Sequence, residues 1–334
     1  MLETAVIRDS VGFEQLEPHW NHLLERGTAG GCHSTFEWLS TWWRHFGVGR
    51  QLLLAVASED SVVVGIAPMY VDTQRRSLHF IGQGLSDYAD VLVPEGRTDI
   101  VRALIESVLG ERSSWDAVGL EELPQASPNL AVIAACFAEA GVALSEHVTV
   151  KCPYLPITAT WEEFWPSLGK SFRHDRHNKM NRCRRDGLEL DYNDRRTVDS
   201  ALLDEVVALS DRRRSFDTHR SPFLCHPDQE FLRDVLPLMG SRNQLRFGEL
   251  RVEGRLAAFV LAYHWRGTVY DWNTQYDPDY YAYSLGRIVL ATVVKQTFRE
   301  GCHEFDFMRG EEDYKFQWTS LSRTNTALRT ASGL

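Results

Sequence analysis

Two distant stretches of this chain follow one plan, and that repetition constrains the fold more than any other feature. Leu54-Ala55-Val56-Ala57-Ser58-Glu59-Asp60, leading to Gly65-Ile66-Ala67-Pro68-Met69-Tyr70, parallels Gly248-Glu249-Leu250-Arg251-Val252-Glu253-Gly254, leading to Ala258-Phe259-Val260-Leu261-Ala262-Tyr263. Each is an apolar strand, an acidic turn, a small residue and a second apolar strand ending in tyrosine. Short apolar runs bounded by polar turns read as strands of a hairpin. A repeat at so long a spacing points to a duplicated domain rather than a solenoid, the alternative being two unrelated hairpins that share turn chemistry. A chain of 334 residues suits two domains. We place the junction near residues 150–160, which gives domains over 1–155 and 156–334. No Gly/Ser linker separates them, so the halves are expected to pack together.

Strand and helix patterns alternate through both halves. In the first, Thr4–Arg8 reads as a strand, Val11–Arg26 as one helix and Phe36–Phe46 as an aromatic helix. Leu52–Ala57 and Val62–Val71 form the hairpin, with further strands at Leu78–Ile81, Tyr88–Val93 and Ala117–Leu120. Helices are expected at Thr98–Leu109 and Asn129–Ala140. In the second half, helices are expected at Trp161–Leu168, at Phe172–Arg185 with Ser171 as its cap, at Thr197–Phe216 and at Leu285–Glu300. Strands are expected at Leu245–Val252, Arg255–Tyr263, Thr268–Gln275 and Glu304–Phe307. The fold class is mixed α/β: two tandem domains, each a mostly antiparallel sheet flanked by helices.

Charge and composition exclude several functions. The net charge is −10, so nucleic acid or an anionic membrane would need a local basic patch, and no DNA partner is expected. Met1–Asp9 lacks the basic and apolar regions of a signal peptide. The longest apolar run, Val62–Val71, is too short to span a bilayer, so the expected location is the cytoplasm. Six scattered cysteines without a CxxC pair read as reduced thiols. His174 and His177 have basic neighbours and no acidic or thiol companions, which disfavours a metal.

Several motifs occur in a recognisable order: Phe36-Glu37-Trp38-Leu39 with Trp42-Trp43, Gly65-Ile66-Ala67-Pro68, Ser86-Asp87-Tyr88, and the Arg173–Arg185 helix. They continue with Tyr270-Asp271-Trp272, Tyr276-Asp277, Tyr283-Ser284-Leu285-Gly286, Phe305-Asp306-Phe307, Gly310-Glu311, and Tyr314-Lys315 with Trp318. From about residue 30 to 320 the chain resembles the acetyltransferase-like family named after the cellulose-biosynthesis protein CelD, and is similar to the wider Fem group of peptidoglycan aminoacyl transferases. The resemblance implies a twin GCN5-type (GNAT) fold and acyl transfer to an amine, from acyl-CoA or, as in Fem relatives, from aminoacyl-tRNA. An amino sugar or amino-bearing metabolite is the implied acceptor.

The residues themselves suggest where such chemistry sits. Ser284, Leu285, Gly286 and Arg287 open a helix whose free amides and dipole can seat a donor phosphate, with Ser284 as cap and Gly286 allowing close approach. The usual acetyltransferase cradle has more glycines and a preceding basic residue. Lys315, carried over from an aromatic-Lys motif of Fem relatives, is the candidate for stabilising the acyl oxyanion, or else a surface lysine paired with Glu311 or Glu312. Asp271 and Asp306 are alternative general bases. Arg173, Arg176 and Lys179 lie in a run rich in cations and poor in acids, which either binds an anionic substrate or is a solvated face. Asp87, Tyr88, Tyr276 and Glu311 complete the acceptor candidates, Asp87-Tyr88 on a loop after Gly82 and Gly84. Trp38, Trp42 and Trp43 suit core packing better than a ligand box. A catalytically inactive twin-domain binding module is the competing reading from another class.

Overall fold

A computed structural model describes residues 1–27, 31–214 and 221–331. The chain divides into two compact units, one of Met1–Lys151 with the chain from Arg323 onward, the other of Cys152–Ser322.

The first unit begins with β1 (Leu2–Ile7), α1 (Ser10–Glu14), α2 (Glu17–Arg26) and α3 (Phe36–Phe46). The hairpin β2 (Arg50–Glu59) and β3 (Val62–Asp72) follows, then β4 (Ser77–Phe80), α4 (Thr98–Gly110), β5 (Ala117–Pro124) and α5 (Pro128–Glu139). The division falls inside β6 (Leu144–Pro156). The second unit continues with α6 (Trp161–Ser167), α7 (Lys170–Arg185), β7 (Leu190–Arg195), α8 (Ser200–Arg213), α9 (His226–Ser241), β8 (Leu245–Val252), β9 (Arg255–Trp265) and β10 (Thr268–Tyr276). It closes with α10 (Leu285–Arg299), β11 (Glu304–Asp306) and α11 (Asp313–Phe316), before β12 (Ser322–Thr330) returns to the first unit. Strand order is β1-β2-β3-β4-β5-β12 in the first unit and β6-β11-β10-β9-β8-β7 in the second.

The two hairpins match in detail. Asp60 and Ser61 both have positive φ (49° and 64°), as do Glu253 and Gly254 (52° and 79°), the geometry of a two-residue turn that matches the twist of antiparallel strands. In each hairpin the register also slips at one place. Val64 is the extra residue between the pairs Ser58–Val63 and Ala57–Gly65, and Ala257 between Arg251–Leu256 and Leu250–Ala258. The equivalence thus pairs Asp60 with Glu253, one residue away from the sequence alignment. Each unit then makes a parallel crossover through a helix, β4 to β5 around α4 and β10 to β11 around α10. Together these features are those of a mixed α/β twin-domain fold.

Each unit has its own core. In the first, α4 and α5 cover the sheet through Ile100, Leu104, Ile133 and Phe137. Trp38 and Trp42 of α3 are buried, and the Trp38 indole Nε1 donates to Ser86 Oγ at 2.8 Å. In the second, Val289, Val293 and Val294 of α10 meet Ala258, Val260 and Ala262 of β9. Helix α10 lies so close to the sheet that a Cβ on Gly248 would stand 2.5 Å from Val293 Cγ2. Gly248→Ala should therefore cost about 1–3 kcal/mol through overpacking. A urea titration should show a lower midpoint at unchanged slope, and an unchanged midpoint would mean that the helix can retreat freely.

Several expected elements differ. The helix placed over Val11–Arg26 is two, because Pro18 in the first turn of α2 has no amide hydrogen with which to continue the ladder from α1. The strand placed at Tyr88–Val93 is a loop with one bridge, Ile66 to Leu92. There Tyr88 is left-handed (φ 60°), and Asp90 accepts from the Val91 amide and from Asn129 Nδ2. Gly169, not Ser171, holds the cap position of α7. The helix expected over Thr197–Phe216 begins at Ser200, capped by Asp199, and Ser215 and Phe216 lie outside the described residues. Strands β6, β7 and β12 and helix α9 were not anticipated. Helix α9 carries Pro227 in its first turn and Pro237 within it, which masks its pattern.

Candidate active site

The second unit brings most of the candidate residues to one end of β10. Strands β10 and β11 run parallel for three pairs only, Thr268–Glu304, Val269–Phe305 and Tyr270–Asp306. Beyond Asp306 the chain turns toward β6, where the Phe307 amide donates to Pro153 O at 2.9 Å, while β10 continues to Tyr276. The strands therefore part immediately before Asp271. At the same point β10 bulges, since Asp271 pairs with Ala262 and Asn273 with Leu261. A bulge at such a place re-aims a side chain.

Asp271 is buried, at 4% exposure. Its Oδ1 accepts from Thr274 Oγ1 at 2.9 Å, and its Oδ2 has no hydrogen-bond partner. Burial pushes its pKa up to about 6, against the pull of the Lys315 charge and the Thr274 hydrogen bond. Asp306 is differently employed. It is fully buried and its Oδ1 accepts from the Met308 amide at 2.6 Å, pinning a left-handed residue (φ 55°).

The turn after β11 brings Lys315 and Tyr314 within electrostatic reach of Asp271. Glu312 folds back over Gly310, where a Cβ would collide with its carboxylate. Lys315 is buried, and its Nζ lies 3.0 Å from Glu312 Oε2 and donates to Arg309 O at 2.7 Å. That ammonium is thus a buried charge rather than a surface one, and it is paired with Glu312. The Tyr314 hydroxyl is held protonated, chiefly by burial and then by the nearby charges of Asp271 and Glu312. Arg213, at the end of α8, lies over the Tyr276 ring at 4.5 Å and opposes part of that effect on Tyr314.

The start of α10 is anchored from below. Asp277 is fully buried, accepts from Arg212 Nε at 2.9 Å and from Arg255, and its Oδ1 takes the Asp279 amide at 3.1 Å. Ser284 stands at the cap position in left-handed conformation (φ 55°, ψ 46°), and its side chain makes no cap bond. Capping hydroxyls work from extended backbone, so Ser284 contributes its carbonyl instead, accepting from the Arg287 and Ile288 amides at 3.0 and 3.2 Å. The amides of Leu285 and Gly286 have no intrahelical acceptor. The side of Gly286 where a Cβ would project faces the Tyr276 ring at 3.1 Å, so this glycine makes room for Tyr276.

Most cations of α7 are bound to the chain itself. Arg173 Nε donates to Leu168 O at 3.0 Å, and Lys179 Nζ and Arg182 Nη1 both donate to Ala282 O, at 3.2 and 3.3 Å. Arg176 is buried instead, and its Nε and Nη1 have no hydrogen-bond partner.

Asp87 and Tyr88 belong to the first unit. Both are buried, and the Asp87 amide donates to His33 Nδ1 at 2.9 Å. Among the described residues no group of three or more His, Cys, Asp or Glu could hold a metal, and no helix is long and apolar enough to cross a membrane.

Comparison with known proteins bears on the fold. Residues 170–316, a little under half of the chain, match the model of the Acetyltransferase (GNAT) domain family. The structure of FemX superposes with a TM-score of 0.65 at 9% identity, over 98% of this chain and 96% of that one. L-PGS from Bacillus licheniformis gives 0.58 at 13% identity over 92% and 90%. A tandem GNAT protein from the clavulanic acid biosynthesis pathway gives 0.53 at 14% identity over 100% of both. No protein of curated function matches the chain. The chain therefore has a tandem GNAT fold, and the match to the Acetyltransferase (GNAT) domain model falls within its second unit.

Proposed function

We propose that this chain is an N-acyltransferase, moving an acyl group from acyl-CoA to an amine of a small molecule or amino sugar, with the chemistry in the second unit. The observation that carries this reading is Asp271, a buried carboxylate with one oxygen lacking a hydrogen-bond partner where β10 parts from β11. An acceptor arrives as an ammonium and must lose a proton before it can attack. Asp271 Oδ2 takes that proton. The amine nitrogen then bonds to the thioester carbonyl carbon, and the C–S bond breaks. Tyr314, kept protonated by its surroundings, supplies the proton that the departing thiolate needs. The nitrogen sheds two protons in all: one is balanced by the thiol, and the other leaves to water from Asp271. Lys315, with its ammonium committed to Glu312 and Arg309, positions the turn that carries Tyr314 and keeps Asp271 from rising further in pKa. The Leu285 and Gly286 amides, with Arg287, face the donor phosphate at the helix dipole.

Transfer from aminoacyl-tRNA is the second reading, favoured by the likeness to Fem proteins. The internal bonds of Arg173, Lys179 and Arg182 weigh against it, since these would be the phosphate-binding cations. A CelD-like role in a polysaccharide or natural-product pathway fits an amino-sugar acceptor. The test is release of free thiol from acetyl-CoA across a panel of amino sugars and small amines. Turnover should require Asp271 ionised, so kcat/KM should climb as pH rises through about 6 and then level. No thiol release with any amine, alongside amide formation from charged tRNA, would transfer the assignment to the second reading.

A further inference from the structure

Strand β10 gives Asp271 a neighbour that a regular strand would not. Side chains of a strand alternate, so Asp271 would share its face with Asn273, two positions on. The pairing with β9 is different: Asp271 lies opposite Ala262 and Thr274 opposite Val260, while Asn273 falls opposite Leu261. Ala262 and Val260 are two apart and both pack in the core with α10, so Asp271 and Thr274 share that face although they are three apart. Trp272 is the extra residue, and it turns the alternation over. The result is the hydrogen bond from Thr274 Oγ1 to Asp271 Oδ1 at 2.9 Å, with Oδ2 left unpartnered. Lys315, Glu312 and Tyr314 act on the same carboxyl from the turn after β11, and Thr274 acts on it from β10 itself.

The fold does not need this arrangement, because the first unit is built without it. Its hairpin matches the second as far as Tyr70 and Tyr263, so Met69 stands where Ala262 does. The residue opposite Met69 on β4 is Phe80, which is buried, and the β3–β4 pairs reach it without a slip. A phenylalanine thus fills in one unit the position that Asp271 holds in the other, and the parallel crossover forms in both. A bulge interrupts the ladder, and a buried carboxylate loses its water, so both point to function rather than folding. We infer that the bulge in β10 serves to position the general base: it brings the Thr274 hydroxyl round to the face of Asp271, where it holds Oδ1 and leaves Oδ2 as the oxygen that takes the acceptor's proton. Threonine suits the task because its branched Cβ keeps χ1 stiff, and a hydrogen bond donated to the ionised carboxyl favours that form. Thr274 is a positioning residue, acting on the acceptor only through Asp271. The inference rests on Asp271 being the base of the proposed transfer, but the hold on its carboxyl can be read without turnover.

The experiment uses the full chain with two variants: Thr274→Val keeps the shape and removes the donor, and Thr274→Ser keeps the donor. Losing a hydrogen bond to a charged acceptor should move the acid limb of kcat/KM up by about one pH unit in Thr274→Val, and Thr274→Ser should keep the wild-type limb. A threonine that only fills space would lower the melting temperature and leave the limb in place. A limb within about 0.3 unit of wild type in Thr274→Val therefore overturns the inference, and so does a serine variant that shifts as far as the valine one. A second measurement needs no substrate. Asp271→Asn should melt higher than its parent once the carboxyl is ionised. That gap should level off above about pH 6 in the wild-type background and about one unit higher in the Thr274→Val background. An unchanged levelling pH overturns the inference. If no amine releases thiol but the levelling pH moves, the hold on Asp271 stands and the acyl-transfer reading falls. If thiol is released and the acid limb stays put, the reading stands and the inference falls. Should Thr274→Val not fold, Thr274→Ala is judged by the same two measurements.

Discussion

Asp271→Asn should slow turnover by about 10²–10⁴-fold, the range expected when a general base is removed, while the protein becomes harder to melt. The two effects have one cause. The native pKa is about 6 against an ordinary value of 3.8, so the fold favours the protonated carboxyl. That contribution to stability is fully present below about pH 4 and disappears as pH rises through about 6. At neutral pH the ionised carboxylate is a net burden, on the order of 2–3 kcal/mol for a shift of this size. Asparagine keeps the shape and can still accept from Thr274, but it carries no charge. The variant should therefore match wild-type stability near pH 4 and exceed it near pH 7, as thermal melts at the two pH values would read. Activity within about threefold of wild type would remove Asp271 from the base role. Lost activity with an unchanged neutral-pH melt would place the effect in binding geometry instead.

Arg246→Met should be the most damaging single change to the second unit. Arg246 of β8 is completely buried, and its guanidinium donates to Asp194 Oδ2 at 3.0 Å, Glu300 Oε1 at 2.8 Å, Gln296 Oε1 at 3.0 Å and Thr297 Oγ1 at 3.3 Å. One side chain thus ties the edge strand β7, its neighbour β8 and the last turn of α10. Methionine fills similar volume but leaves two carboxylates facing each other. Breaking a buried ion pair from one side costs about 3–5 kcal/mol. Asp194 and Glu300 are partly solvated, at 18% and 37% side-chain exposure, and Arg196 lies 2.9 Å from Glu300 Oε1, so about 3 kcal/mol is the reasonable expectation. Adding Asp194→Asn should recover part of the loss, because it removes the repulsion that the first change exposes. A melting temperature within one or two degrees of wild type would show that the cluster contributes little.

The local parts of this fold were legible in the sequence for local reasons. The apolar runs around Glu59-Asp60 and Glu253-Gly254 specify hairpins, because strand period and turn chemistry act over a few residues. The aromatic run Phe36–Phe46 was placed on its pattern alone, and the helix has those bounds because Thr35 caps it, its oxygen accepting from the Trp38 amide, and Gly47 ends it. The twin mixed α/β architecture follows from the repeated hairpin. The site was legible only as residue types near the right place. Asp271 and Asp306 read alike in sequence, each a carboxylate in an aromatic strand, but one sits at a bulge with an unpartnered oxygen and the other takes the Met308 amide. Lys315 stood out, whereas its neighbour Tyr314, named only as part of the motif, is the group whose proton the site holds. Arg173, Arg176 and Lys179 form one basic run, and nothing in their spacing says which of them has idle donors. Nor does the sequence near β12 announce that it pairs with β5, at Asn325–Pro124 and Leu328–Leu120. In each case the deciding quantity is burial or a hydrogen bond to a residue far away in the chain. Periodicity and turn chemistry, which act between near neighbours, determined the elements; which charges lost their water, and which of those found a partner, only the tertiary structure decided.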